Sequence, residues 1–158
     1  MSVLEFCRWV QYSPPLIAMR DSPWLFPVIA TIHLMGLTLI GGAVLVVDLR
    51  LLGLGLRRQP VAQLAQDAER WLFTGLLVMV STGILLFMCF ATKYYYLTFF
   101  WVKMAALLLV MVFTLSVRRR VAIANKGDVS PVRCKLVALV SLSLWTTVAV
   151  GGRWIGFP

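Results

Sequence analysis

The chain has 158 residues, of which 61% are apolar and only 13% charged, and its formal net charge is +9. Soluble domains carry roughly half apolar and about a quarter charged residues, so the composition excludes an ordinary soluble protein and points to one integral membrane domain, spanning residues 1–158. The positive charge is no nucleic-acid signal, because the basic residues cluster in short connections beside apolar runs. Three cysteines, Cys7, Cys89 and Cys134, stand far apart with no CxxC or CxxCH, which argues against a zinc knuckle, a c-type haem attachment and a disulfide framework.

Residues 1–20 are too short and too mixed to span a membrane. Val3, Leu4, Phe6, Trp9, Val10 and Tyr12 are interleaved with Glu5, Arg8 and Gln11, a pattern expected of a short helix in the membrane interface or packed on the outside of a bundle. Ser13-Pro14-Pro15 should end it. The stretch has no basic segment leading into an apolar one, so insertion is expected to rely on the first true span.

That span is expected over about residues 24–47, with Ser22 capping it and Asp48 and Arg50 marking its exit. Pro27 either starts the helix or bends one that begins at Pro23. A polar connection over 55–70 leads, through a short helical segment after Pro60, into a second span over 71–91. The aromatic-rich turn TKYYYL fits an interfacial belt. A third span is expected over 98–117, ending in Arg118-Arg119-Arg120, then a basic loop with Asn125-Lys126-Gly127-Asp128 as its turn, then a fourth span over 136–152. The connections after spans one and three hold ten of the fifteen basic residues, so both should be cytoplasmic, with the termini and the tyrosine turn outside. The expected architecture is an all-α, four-helix up-down bundle with a short N-terminal interfacial helix.

His33 is the single histidine of the chain and lies inside span one, roughly 10–15 Å below the outer surface at 1.5 Å per residue. Lys103, about five residues into span three, lies on the order of 8 Å deep by the same rise. Arg153 follows span four directly. Three basic side chains on three helices therefore gather in the outer half, and an intramembrane charge usually faces the interior and marks function. The plain alternatives are snorkelling for Lys103, an interfacial position for Arg153, and a hydrogen-bonded packing role for His33. Ala30 and Gly36 lie within a turn of His33, which would let a flat ligand approach the backbone. Gly75, Met79, Thr82 and Cys89 share a stripe of span two that equally fits close helix packing. Met35 points away from His33.

A lone imidazole with nearby cations in an apolar setting fits haem b first. His33 would be the axial metal ligand, Arg153 a propionate partner, and Lys103 either a second propionate partner or a second axial ligand. One histidine excludes a bis-histidine site within the chain. Copper through His33 and methionine sulfur is the second metal candidate, without a Met-rich motif behind it.

The segments IHLMGLTLIGGAVLVVDLRLLG, TGILLF, FFWVKMAALLL and WTTVAVGGRWIGF together resemble a family of uncharacterised small bacterial four-helix membrane proteins, over nearly the whole chain. More distantly, the span-one His and the Lys of the FWVK segment look like those of the HemJ-type protoporphyrinogen oxidases and the CopD copper-resistance membrane domain. That resemblance implies haem contacts at His33 and Lys103 and a multi-pass protein of the bacterial inner membrane. The expected function is haem b binding and electron transfer, as a small subunit of a larger membrane complex, with a quinone or redox subunit as partner and homo- or hetero-oligomers expected. A non-redox structural or assembly subunit is the alternative, and HemJ-like oxidation or CopD-like copper handling a further one. No catalytic residue is assigned.

Overall fold

The computed structural model describes residues 2–54, 60–124 and 130–155. Among them there is no strand. Four helices are long and apolar enough to cross a membrane, so the chain is a multi-pass membrane protein with an all-α bundle fold.

Helix α1 (Val3–Gln11) starts on a reciprocal cap: the Ser2 N–H donates to Glu5 Oε2 at 2.7 Å, and the Glu5 N–H donates to Ser2 Oγ at 3.2 Å. Its Cys7 and Val10 are buried, while Val3, Phe6 and Trp9 stay exposed. Gln11 Oε1 accepts from the Thr92 backbone N–H at 2.9 Å, which ties α1 to the end of the bundle. Helix α2 (Pro14–Asp21) is a second short helix where the prolines were expected to end the first; Pro14 and Pro15 stop α1 and start α2, because the first turn needs no proline N–H.

Helix α3 (Leu25–Leu52) has Trp24 at its N-cap position, and Ser22 Oγ, two residues before it, accepts from the Leu25 N–H at 3.2 Å. Pro27 falls in its first turn, so no internal hydrogen bond is lost. Gly53 stops the helix with φ +81°, the left-handed conformation suited to glycine. Helix α4 (Val61–Cys89) begins right after Pro60 and carries the polar lead and the second span as one helix. The short α5 (Ala91–Tyr96) holds the tyrosines. Helix α6 (Thr98–Phe113) passes through a π turn (Thr114–Arg118) into α7 (Arg119–Ile123), and α8 (Pro131–Ile155) ends the described chain.

The spans are therefore longer at the arginine end than the apolar runs suggest. Residues 118–123, expected in a loop, are helical, because backbone hydrogen bonds continue past the point where side chains turn polar. The expected Asn125–Asp128 turn lies outside the described residues.

The bundle is a row closed at one end. Helix α3 packs most closely on α4 and also on α8, and α8 packs on α6. Helices α4 and α6, separated in the chain by the short α5, make little backbone contact, whereas α7 returns onto α4 at the arginine end. The main core is built from Ile40, Ala43 and Val44 of α3, Leu72 and Met79 of α4, Ala106 and Val110 of α6, and Trp145 and Val148 of α8.

Candidate functional site in the tyrosine half

Helices α3 and α4 touch backbone to backbone. A Cβ added to Gly75 would stand 2.9 Å from the Gly36 carbonyl oxygen and 2.9 Å from Ile40 Cγ1. One added to Gly36 would meet the Gly75 carbonyl and the Met79 nitrogen, each at 3.1 Å. The room expected at Gly36 for a flat ligand is thus taken by α4. Its missing side chain serves helix packing, as small residues do in membranes.

One and two turns beyond this contact, the same pair of helices holds His33. Its Nδ1 lies 2.9 Å from Thr82 Oγ1, and the Thr82 hydroxyl lies 2.5 Å from the Val78 carbonyl oxygen. A carbonyl only accepts, so the single hydroxyl proton of Thr82 goes to Val78. The Thr82 oxygen then accepts from His33 Nδ1–H. This fixes the imidazole tautomer and leaves the lone pair on Nε2. Gly83 gives the ring its place: a Cβ there would come within 3.2 Å of His33 Cε1. Met35 is exposed, as its helical phase suggested.

Lys103 of α6 runs along α8. A Cβ at Gly151 would sit 3.4 Å from Lys103 Cβ, and one at Gly152 would sit 3.3 Å from Lys103 Nζ. The Gly151-Gly152 pair is therefore the groove in which the lysine stem lies, and it accounts for these two glycines. Lys103 is within electrostatic reach of His33, so the two side chains share one half of the bundle. Arg153 is exposed in the last turn of α8, next to that groove. The adjacent Trp154 stacks on Phe99 at 6.2 Å between ring centroids.

An aromatic group closes the end above these residues. Phe87, Tyr94 and Phe100 stack in mutual contact, with centroids 5.2 Å (Phe87–Phe100), 5.7 Å (Tyr94–Phe100) and 6.2 Å (Phe87–Tyr94) apart. Burial, and to a lesser degree Cys89, pushes the Tyr94 phenol above its ordinary range, so it is neutral at physiological pH.

The charged residues missed by sequence reasoning lie at the other end. Asp48 does not mark an exit to water; it is fully buried. Arg118 Nε donates to Asp48 Oδ1 at 2.7 Å, and Arg118 Nη2 donates to the Val44 carbonyl at 3.2 Å. A carboxylate inside an apolar run and an arginine at the end of a second span were the available signal. By contrast Arg119 meets Glu69 at 3.3 Å on the surface.

Among the described residues no group of three or more His, Cys, Asp or Glu could hold a metal ion. A site built only from such side chains is thus not formed among them, whereas a macrocycle that brings its own four nitrogens needs just one or two axial donors from the protein. Among the described residues His33 is the one histidine that could be such a donor; its ring also has the Met79 backbone as a hydrogen-bond neighbour.

No curated protein and no solved structure matches the chain. A family model does, over residues 26–158, and its description is a family of unknown function, DUF6644. The match begins at the second residue of α3 and takes in all four spans, so the chain belongs to the DUF6644 family.

Proposed function

We propose that this protein binds haem b at His33 and passes electrons within the membrane, as a small subunit of a larger complex in a bacterial cytoplasmic membrane. The observation that carries this reading is the Thr82–His33 hydrogen bond. Histidines that ligate metals donate their other ring N–H to a second group, which sets the tautomer and the ring orientation. Here Nδ1 is committed to Thr82, and Nε2 keeps the lone pair.

Haem would supply the one-electron couple, and the chain's residues would supply its surroundings. His33 is the axial donor. Lys103, laid along Gly151-Gly152, offers an amine or a positive charge in the same half of the bundle, and Arg153 adds positive charge suited to a propionate. The phenol of Tyr94 and its two phenylalanine neighbours limit water at that end. A quinone or a redox subunit would exchange the electrons.

The test is a dithionite-reduced minus oxidised absorbance spectrum of the detergent-purified protein, expressed with ample haem supply. A b-type alpha band at about one haem per chain is expected. A flat spectrum from folded protein overturns the reading.

A second reading rests on the same hydrogen bond. Thr82 and the Met79 backbone already give the half-buried imidazole partners on α4, so His33 could serve only to fix α3 against α4 in a non-redox assembly subunit. That reading predicts a colourless protein that copurifies with a larger complex.

A further inference from the structure

Among the described residues, four side-chain polar atoms around the Asp48–Arg118 pair are buried with no hydrogen-bond partner: Asp48 Oδ2, Ser141 Oγ, Thr114 Oγ1 and Trp145 Nε1. They are not scattered. The Ser141 hydroxyl lies beside the Asp48 carboxylate without closing a well-directed hydrogen bond. Trp145 is four residues from Ser141, and Thr114 is four residues from Arg118, so each stands one turn along its helix from the pair. Buried polar atoms in proteins are nearly always satisfied, and a group left bare costs about 1–3 kcal/mol. Four in two adjacent layers call for a shared partner.

A cavity of about 30 Å³ lies between α4 and the α6–α7 junction; of the four groups only Thr114 lines it, and Arg118, which also lines it, connects it to Asp48. Thr114 and Arg118 line it, Leu72 and Ala68 form its apolar wall, and Glu69 and Arg119 flank it. About 10–15 Å³ suffices for one water when polar partners are present. The π turn Thr114–Arg118 contributes as well. Its one extra residue per turn rotates the remainder of the helix by about 100° and lets Arg118 face both the cavity and Asp48.

We infer that the arginine half of the bundle is a hydration site, in which water entered from the arginine end bonds Thr114, Arg118, Asp48 Oδ2, Ser141 and Trp145. Arg118 is the gate: it borders the water-sized cavity on one side and holds Asp48 on the other. The site gives an intramembrane carboxylate aqueous contact with one side of the membrane only. It is independent of haem binding, and its test needs no cofactor.

Radiolytic hydroxyl labelling followed by mass spectrometry reads the site directly, because radicals born from bound water oxidise the side chains beside it. Trp145 is 7% exposed and Met79, in the apolar core, is 4% exposed. Bound water makes Trp145 label at a rate near that of the exposed Trp71, while Met79 stays silent. A silent Trp145, or equal labelling of Trp145 and Met79, overturns the inference. As a second measurement, Thr114→Val and Ser141→Ala each remove a water partner without adding bulk. Each is expected to lower the melting temperature by about 2–4 °C, the shift of roughly 1 kcal/mol at this chain length. A bare hydroxyl costs stability, so an unchanged or raised melting temperature in both variants overturns the inference too.

Discussion

The two ends of the bundle solve the same problem differently. In the tyrosine half, His33 is held on α4 by Thr82 and the Met79 backbone, and Lys103 lies in a groove of two glycines. In the arginine half, Asp48 and Arg118 form a buried acid–base pair, with side chains 0% and 8% exposed, at 2.7 Å. The arginine half is closed by α7 returning to α4, while in the tyrosine half α4 and α6 meet through the side chains Phe87 and Phe100 rather than by close backbone packing. One end has its charges paired and its helices converged. The other holds an imidazole and an amine, each laid against glycines. A membrane protein that needs a rigid frame and an adaptable site can obtain both by separating them along the bundle axis.

The largest effect should come from breaking the paired end. Asp48→Leu or Arg118→Leu leaves a lone buried charge and is expected to cost about 3–5 kcal/mol, read as loss of thermal stability in detergent. The double variant, with both charges replaced by leucine, should recover most of that loss. If single and double variants melt alike, the pair is not what holds this end together.

Next comes the contact between α3 and α4 that positions the site. Gly75→Ala drives a methyl group into the Gly36 carbonyl and Ile40, at a cost of about 1–3 kcal/mol. Gly41→Ala on the same helix pair meets nothing within 4 Å and should be neutral within about 0.5 kcal/mol. Equal melting temperatures for the two variants would contradict close backbone packing at Gly75.

Thr82→Val separates frame from site. It removes one hydrogen bond, worth about 1 kcal/mol of stability, yet a lost partner of this kind typically lowers metal affinity about 10–100-fold. Haem titration of the variant measures the second effect, and a melt the first. Unaltered affinity would mean that Thr82 does not orient a ligand. Smallest of all, Glu69→Gln cuts the surface pair with Arg119 and should change stability by less than about 0.5 kcal/mol. A loss as large as that of Asp48→Leu would erase the distinction between paired core and solvated rim.

Much of the frame was legible in the residues. Apolar runs of membrane length, the proline punctuation at Pro14-Pro15 and Pro60, and the mixed apolar and polar pattern of α1 are local signals, and local signals survive translation into structure. The position of His33 and Lys103 in one half also came from counting along helices. What a count could not give was the rotation of one helix against another. It left Gly36 open to a ligand, although α4 fills that space. It sent Asp48 out to water, although a π turn in a helix seventy residues away swings Arg118 in to meet it. No run of residues announces a π turn, because the extra residue looks like any other. The Gly151-Gly152 pair was visible as a motif, but its purpose depends on Lys103 from another helix.

Haem binding through His33 in the tyrosine half is the proposal on which the functional reading stands. Haem titration of purified protein, wild type beside His33→Ala, tests it most directly. Saturation at about one haem per chain with a b-type reduced spectrum is expected in the wild type, and neither in His33→Ala, with the variant still folded by its melting profile. Equal haem binding and identical spectra in the two proteins, or no binding in either, would contradict it.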